Sequence, residues 1–327
     1  MAETGLILHT DRDQPVDPSD LEAFGRHGAR LQRVDTPEQF LEFAPAAVAV
    51  LNSNFRITAS LIAALDRCRV ISRYGSGYDN IDLQAAARKG IPVTNVPVFC
   101  VEEVANRAFT LLLALSCDLL KLDRAARAGV WGVHNLPFAS QLEGCTLGLV
   151  GFGKIARAVA RRARLFGLEL VAYDPYVSAA MFAGEGARRS GLEELLRISD
   201  YVSLHTPLNA ETRHLIGWER LCLMKPTAFL INTSRGAAIE ESALVRALEE
   251  RRIAGAGLDV FEREPPARDN PLFARDDVIL TPHCAAHTAR ATEKVRREAV
   301  DSVLCALRGE PPVNVVNQDL MAAASRS

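Results

Sequence analysis

Residues 146–175, TLGLVGFGKIARAVARRARLFGLELVAYDP, constrain this chain more than any other stretch. The stretch opens with the apolar run at 147–150, short and branched enough to predict a buried parallel strand. Gly151, Gly153 and Ala156 follow in the order G-x-G-x-x-A. Ile155, Val159, Ala163 and Phe166 then recur at helical spacing, and Gly167 stands where that helix should stop. Residues 168–173 predict a second strand with Asp174 at its end. Strand, glycine turn, helix, strand and acid, in that order, form the fingerprint of a dinucleotide site. Gly151 allows the tight turn, Gly153 admits a pyrophosphate to the backbone, and Ala156 lets helix and strand pack closely. The helix N-terminus would face the phosphates. Asp174 is placed to accept hydrogen bonds from an adenosine ribose.

A chain of 327 residues is long for one domain and comfortable for two. Hydrophobic residues make up 48%, enough for sizeable cores, and the 24% that are charged are ordinary for a soluble protein. The net charge of −2 offers no electrostatic ground for nucleic acid or an anionic membrane as partner. At the N-terminus, MAETGLILHT carries an acid where a signal peptide needs a basic region. No run approaches the roughly 20 apolar residues of a membrane span. Seven scattered cysteines without a C-x-x-C predict a reducing cytoplasm, with neither disulfides nor a metal site.

Strand-like and helix-like segments alternate along almost the whole chain. Residues 6–9, 46–51, 70–72 and 92–94 predict strands, and 21–27, 58–65 and 83–89 predict helices. Thr58 and Asp82 are suited to N-caps, and Gly90 to a stop. The pattern at 101–128 predicts one long connecting helix, apolar at Val104, Ala108, Leu111, Leu112, Leu115 and Leu119. Beyond Asp174, helices are expected at 192–198 and 242–250, and strands at 201–204, 229–231, 255–260 and 278–280. A last helix is expected at 288–307, and 321–327 reads as a loose tail.

Three stretches at strand ends hold candidate chemistry. Residues 72–82, SRYGSGYDNID, place two glycines and a serine just past a strand. Their amides could converge on an anion, or form a plain turn before a helix capped by Asp82. Asn232-Thr233-Ser234-Arg235-Gly236 puts Arg235 at the carboxyl end of a strand, where ligands bind in open sheets, although a solvated arginine would look the same. Leu280-Thr281-Pro282-His283 brings a histidine to a third strand end; a lone histidine is as readily structural. Asp259 ends the strand before Glu262 and Glu264. A cation, an acid and a histidine following strands in the nucleotide half match hydride transfer to or from a hydroxy acid. That reaction needs a group to hold a carboxylate, one to polarise a carbonyl and one to move a proton.

With these motifs in order, the chain resembles the NAD-dependent D-2-hydroxyacid dehydrogenase family over essentially its full length. The resemblance rests on SRYGSGYDNID at 72–82, GLVGFGKIARAVA at 148–160 and Ser203-Leu204-His205-Thr206-Pro207-Leu208. It extends through Ile231-Asn232-Thr233-Ser234-Arg235-Gly236, then Asp259-Val260-Phe261 to Glu264-Pro265, and Thr281-Pro282-His283. Val101-Glu102-Glu103-Val104-Ala105 and Tyr173-Asp174-Pro175-Tyr176 are similar to the subgroup that includes the C-terminal-binding-protein corepressors.

The resemblance implies an α/β fold of two doubly wound parallel-sheet domains. One is a Rossmann NAD-binding domain at 99–287. The other is a flavodoxin-like substrate-binding domain, discontinuous, at 1–98 plus 288–327, with the active site in the cleft between them. It implies Arg235, Glu264 and His283 as the catalytic set: Arg235 on the substrate carboxylate and carbonyl, His283 as general acid/base, Glu264 holding His283. Cofactor contacts would come from Ser76, Gly151, Gly153, Lys154, Ile155, Asp174, His205, Thr206, Pro207, Thr233, Ser234, Arg235, Asp259 and His283. Substrate contacts would come from Asn52, Gly75, Ser76, Gly77, Arg235 and His283. A homodimer in the cytoplasm is expected, with no metal, and glyoxylate and hydroxypyruvate as family-level substrates.

Three positions depart from the family pattern. Ala156 replaces the last fingerprint glycine. Asn52 and Ser53 stand where phosphoglycerate-specific members carry an arginine, and the regulatory extension of some of those enzymes is not expected. Cys284-Ala285-Ala286-His287 adds a second histidine after His283. Two functions follow: a working dehydrogenase or 2-keto acid reductase, and an NAD(H)-sensing, corepressor-like binding protein. Arg235, Glu264 and His283 favour the enzyme, because a sensor needs no acid/base group.

Overall fold

The structure, a computed structural model, describes residues 5–10, 16–132, 134 and 140–324. Residues 1–4, on which the reading of the N-terminus partly rests, and 325–327 of the expected tail lie outside them. The chain divides into two compact units, Met1–Phe99 with Thr288–Ser327, and Cys100–His287.

The first unit begins with β1 (Gly5–His9), α1 (Pro18–Arg26), β2 (Ala29–Arg33), α2 (Pro37–Phe43), β3 (Ala47–Asn52), α3 (Ala59–Ala63), β4 (Ile71–Arg73), α4 (Leu83–Arg88) and β5 (Val93–Thr94). Its strands pair in parallel in the order β2-β1-β3-β4-β5. Every residue of β1, β3 and β4 is buried, as strands covered by helices on both faces require. β2, only one of whose five residues is buried, is an edge strand, which is why its short mixed pattern ARLQR carries no strand signal in the sequence.

The second unit runs α5 (Val101–Ser116), α6 (Leu119–Arg127), β6 (Thr146–Val150), α7 (Lys154–Leu165), β7 (Glu169–Tyr173), α8 (Ala179–Gly184), β8 (Arg188–Arg189), α9 (Leu192–Ile198), β9 (Tyr201–Leu204), α10 (Trp218–Leu221), β10 (Phe229–Asn232), α11 (Glu241–Glu249), β11 (Gly255–Leu258) and β12 (Val278–Leu280). The seven parallel strands are ordered β12-β11-β10-β9-β6-β7-β8. Strand order reverses between β6 and β9, so the crevice for a ligand opens at their carboxyl ends. Alternate residues feed two cores: Val150, Val171, Val202 and Leu230 one side of the sheet, Leu149, Ala172, Tyr201 and Ile231 the other.

Two expectations are corrected. The single helix at 101–128 is two, because Asp118 takes the left-handed conformation (φ 49°) between α5 and α6. Ser116 turns its hydroxyl back onto the Leu113 carbonyl at 2.9 Å, a local bond that competes with helix continuation. α6 buries none of its residues, so no core contact holds it in line with α5. The second correction is the tail. After α12 (Ala289–Arg308), which packs on β3 and β4, residues of the expected tail form α13 (Gln318–Ala324) against α4.

Asn317 is what ties that helix down. The fully buried side chain accepts from the Val93 amide at 2.9 Å and donates to the Ile91 carbonyl at 3.0 Å. Replacing it strands two buried backbone groups. Asn317→Ala should therefore cost about 1–3 kcal/mol in urea unfolding, whereas substitution of exposed Asp319 should be near neutral.

Candidate active site

The nucleotide side is built on the turn after β6. Gly151 has φ 85°, and a Cβ there would stand 2.7 Å from the His205 carbonyl oxygen, so this turn tolerates no side chain. Gly153 begins α7 without a side-chain cap, and a Cβ on it would meet nothing within 4 Å. The α7 N-terminus is thus neither capped by a side chain nor crowded at Gly153, as an anion site requires. Lys154 is exposed and Ile155 half-buried at that helix start, while Ala156 is fully buried against the sheet. Asp174 braces the glycine turn: its carboxylate accepts from the Phe152 amide at 2.8 Å and the Tyr176 amide at 2.9 Å.

Next along the strand ends come His205, Thr206 and Pro207 after β9, and Thr233 and Ser234 after β10. The hydroxyls of Thr206 and Thr233 are buried, with no hydrogen-bond partner in the protein. Buried orphan hydroxyls are rare and costly, and two of them on neighbouring strand ends fit a polar ligand lying across the sheet. A dinucleotide has the required length and acceptors. Ser234 is engaged differently, its amide and hydroxyl both donating to Asn232 Oδ1.

The candidate reactive groups follow β10, β11 and β12. His283 Nδ1 and Glu264 Oε2 are 2.6 Å apart, and Glu264 Oε1 accepts from the Phe261 amide at 3.0 Å. Burial pushes the Glu264 carboxyl up, but the His283 bond and charge, the Phe261 amide and the Arg235 charge outweigh it and hold the group below the usual carboxylate range. His283 itself has φ 49°, an uncommon conformation for a non-glycine residue, fixed by its amide donating to the Asp259 carbonyl at 2.7 Å. Arg235 is half-buried, with Nη1 donating to the Ser234 carbonyl at 3.0 Å. Asp259, expected on the cofactor, is fully buried and turned to the loop instead: it accepts from the Thr281 hydroxyl, the Cys284 amide at 3.0 Å and the Ala285 amide at 2.8 Å.

In the first unit the loop after β4 is only partly what the sequence suggests. The Gly75 amide is spent on the Arg73 carbonyl at 2.9 Å, which takes it out of the expected anion contacts. Ser76 and Gly77 are half-exposed, and Ser76 is steadied by Asn95 Nδ2 donating to its carbonyl at 2.7 Å. Asn52, expected on the substrate, is fully buried and accepts from the Thr10 hydroxyl at 2.7 Å, so it is a tie inside this unit's core. Asp82 caps α4 as expected, its carboxylate accepting from the Ala85 amide at 2.8 Å.

Gly236 escapes sequence reasoning. A Cβ there would lie 1.8 Å from the Phe261 carbonyl carbon, so the segment after Arg235 runs against the backbone that leads to Glu264. A glycine directly after a strand-end arginine is a faint signal of such an approach.

His205 supplies a pH test. Burial without an opposing charge pushes its imidazole down to about 4 from 6.5, and its Nε2 lies 2.9 Å from the Ser203 hydroxyl. The folded protein therefore holds this group neutral while the unfolded chain protonates it, so stability should fall as pH drops from 6.5 towards 4. In His205→Gln that part of the loss should vanish, measured as Tm against pH.

Comparison with known proteins agrees with this geometry. Residues 109–285 match the family described as D-isomer specific 2-hydroxyacid dehydrogenase, NAD binding domain. A glyoxylate reductase of Korarchaeum cryptofilum is 42% identical over 268 residues, 81% of each chain. The crystal structure of a glyoxylate reductase from Paecilomyes thermophila superposes with a TM-score of 0.87 at 31% identity, over 98% of this chain and 100% of that one. A D-lactate dehydrogenase from Aquifex aeolicus, complexed with NAD and lactic acid, gives 0.85 at 28% identity over 98% of both. With the fingerprint turn, the seven-stranded order and the strand-end arginine, glutamate and histidine in one unit, the chain belongs to the D-isomer specific 2-hydroxyacid dehydrogenases, NAD-dependent oxidoreductases of 2-hydroxy and 2-keto acids.

Proposed function

We propose that this member of the family reduces a small 2-keto acid of the glyoxylate or hydroxypyruvate kind with NADH, using Arg235, His283 and Glu264. The observation that carries the assignment is the 2.6 Å bond between His283 Nδ1 and Glu264, which leaves Nε2 for the reacting oxygen. Bound NADH supplies the hydride. As negative charge grows on the carbonyl oxygen, His283 delivers a proton to it, and Glu264 stabilises the imidazolium before transfer. Arg235 forks onto the carboxylate and polarises the carbonyl, a geometry lysine does not match. Thr206, Thr233 and the first amides of α7 would hold the cofactor, with Gly151, Gly153, Lys154, Ile155, His205, Pro207 and Ser234 around it. Asp174 would favour NAD, since its carboxylate suits a free ribose diol and repels a 2′-phosphate. The first unit would recognise the substrate, through the Ser76 and Gly77 amides.

The relatives named glyoxylate reductases support the small substrate. All seven cysteines are free thiols, which suits a reducing compartment such as the cytoplasm; among the described residues no helix is long and apolar enough to cross a membrane. Exposed Leu119, Leu120, Val130 and Trp131 suit burial against a second copy in a homodimer.

Oxidation of NADH against a panel of 2-keto acids, with NADPH alongside, tests the reading. Glyoxylate or hydroxypyruvate should lead, and NADH should exceed NADPH in kcat/KM. Asp174→Ala should weaken NADH and narrow that preference. His283→Ala should lose about 10²–10⁴-fold in kcat while still binding NADH. Near-normal turnover in a folded His283→Ala would remove His283 as the proton donor, and NADH binding without turnover of any keto acid by the unaltered protein would favour the NAD(H)-sensing reading.

A further inference from the structure

A second histidine–glutamate pair lies beside the reactive one. His214 Nε2 and Glu262 Oε1 are 2.5 Å apart, with the Arg213 guanidinium 3.5 Å from the same oxygen. Glu262 Oε2 accepts from the Glu241 amide at 3.1 Å, and Glu241 Oε2 accepts from the Glu262 amide at 3.1 Å. Asn270 Nδ2 donates to the other Glu241 oxygen at 2.7 Å. Both carboxylates are thus held by reciprocal backbone bonds, and the Arg213 guanidinium sets a positive charge against them. A surface acid free in solvent would have none of these partners.

What the pair joins matters more than the pair itself. The His214 amide donates to the Ala237 carbonyl at 2.8 Å and the Ile216 amide to the Ala238 carbonyl at 3.0 Å, stitching the 214–216 segment to the turn that follows Arg235. The His214 side chain then reaches Glu262, two residues before Glu264. Gly236 lies close enough to Phe261 and Glu262 that a single added carbon would overlap their backbone. Three segments meet at Glu262, and two of them carry Arg235 and Glu264.

We propose that Glu262, clamped by His214 and Glu241, is a positioning residue. It fixes the Phe261–Glu264 backbone against the Arg235–Gly236 turn, and so sets where the Glu264–His283 pair stands relative to Arg235. The inference rests on the catalytic reading of Arg235, Glu264 and His283. It adds that the spacing of the cation and the proton donor is held from outside the set, by residues that touch neither substrate nor cofactor.

The test compares Glu262→Ala, Glu262→Gln, His214→Ala and the His214→Ala/Glu262→Ala double variant in kcat and KM for glyoxylate, NADH affinity by fluorescence, and Tm. Glu262→Ala should lower kcat by about tenfold to a hundredfold, the cost of a misplacement near 1 Å, with NADH affinity changed by less than about twofold. Glu262→Gln keeps an acceptor for the Glu241 amide and should recover most of kcat. His214→Ala should resemble Glu262→Ala, and the double variant should be no worse than the poorer single one, because both remove one clamp. Losses that multiply, or kcat unchanged in folded Glu262→Gln and His214→Ala with no loss in Glu262→Ala, would overturn the proposal. So would a loss that tracks NADH affinity and Tm alone. His283→Ala run in parallel separates the failures: its collapse beside a normal Glu262→Ala removes only the positioning role, and its survival removes the catalytic reading beneath it.

Discussion

A carboxylate with no exposure to solvent ties together the strand ends of the second unit that carry Arg235 and His283. Asp259 lies at the end of β11, and burying its charge would be prohibitive without dense hydrogen bonding. It is satisfied by the Thr281 hydroxyl and the amides of Cys284 and Ala285. Its own backbone accepts from the His283 amide and donates to the Asn232 carbonyl. The ends of β10, β11 and β12 are tied through this one residue, and the left-handed backbone of His283 is tolerated because the loop around it is so fully bonded. Removing the acid would leave three donors without their acceptor.

The nucleotide side works by the opposite device, with groups left unsatisfied. Thr206 and Thr233 present buried hydroxyls without partners, and α7 begins on a glycine that supplies no cap. Each such group costs stability alone and would gain a partner from a polar ligand laid across the sheet. Asp174 stands between the two devices, already bracing the glycine turn through two amides while retaining acceptor capacity for a diol.

Local pattern and tertiary contact differ in what they reveal about these elements. α9, β9 and β12 are readable to the residue, because α9 has a clear amphipathic period and β9 and β12 are short, mostly apolar runs with clear ends. β2 and β8 are not, since an edge strand of mixed polarity has no period to read. The break between α5 and α6 was hidden because nothing in a helical pattern reports that its second half has no core to pack on. α13 was hidden for the reverse reason: its order comes from Asn317 holding Ile91 and Val93 and from packing on α4, all distant in sequence.

By itself the sequence determined the two-unit α/β class, the nucleotide turn, and the candidates Arg235, Glu264 and His283. The two-unit class came from length and the alternation of strands and helices, Arg235 and His283 from local patterns at strand ends, where a parallel sheet must place its ligands, and Glu264 from the family resemblance. Only the tertiary structure decided how those residues are held. It paired His283 with Glu264, committed Asp259 to the loop and Asn52 to a core, and spent the Gly75 amide internally. It also brought His214, Glu241 and Gly236 up against Glu262. These contacts join residues up to 48 positions apart, and such pairings are set by how strands order in a sheet, which no short window of sequence records.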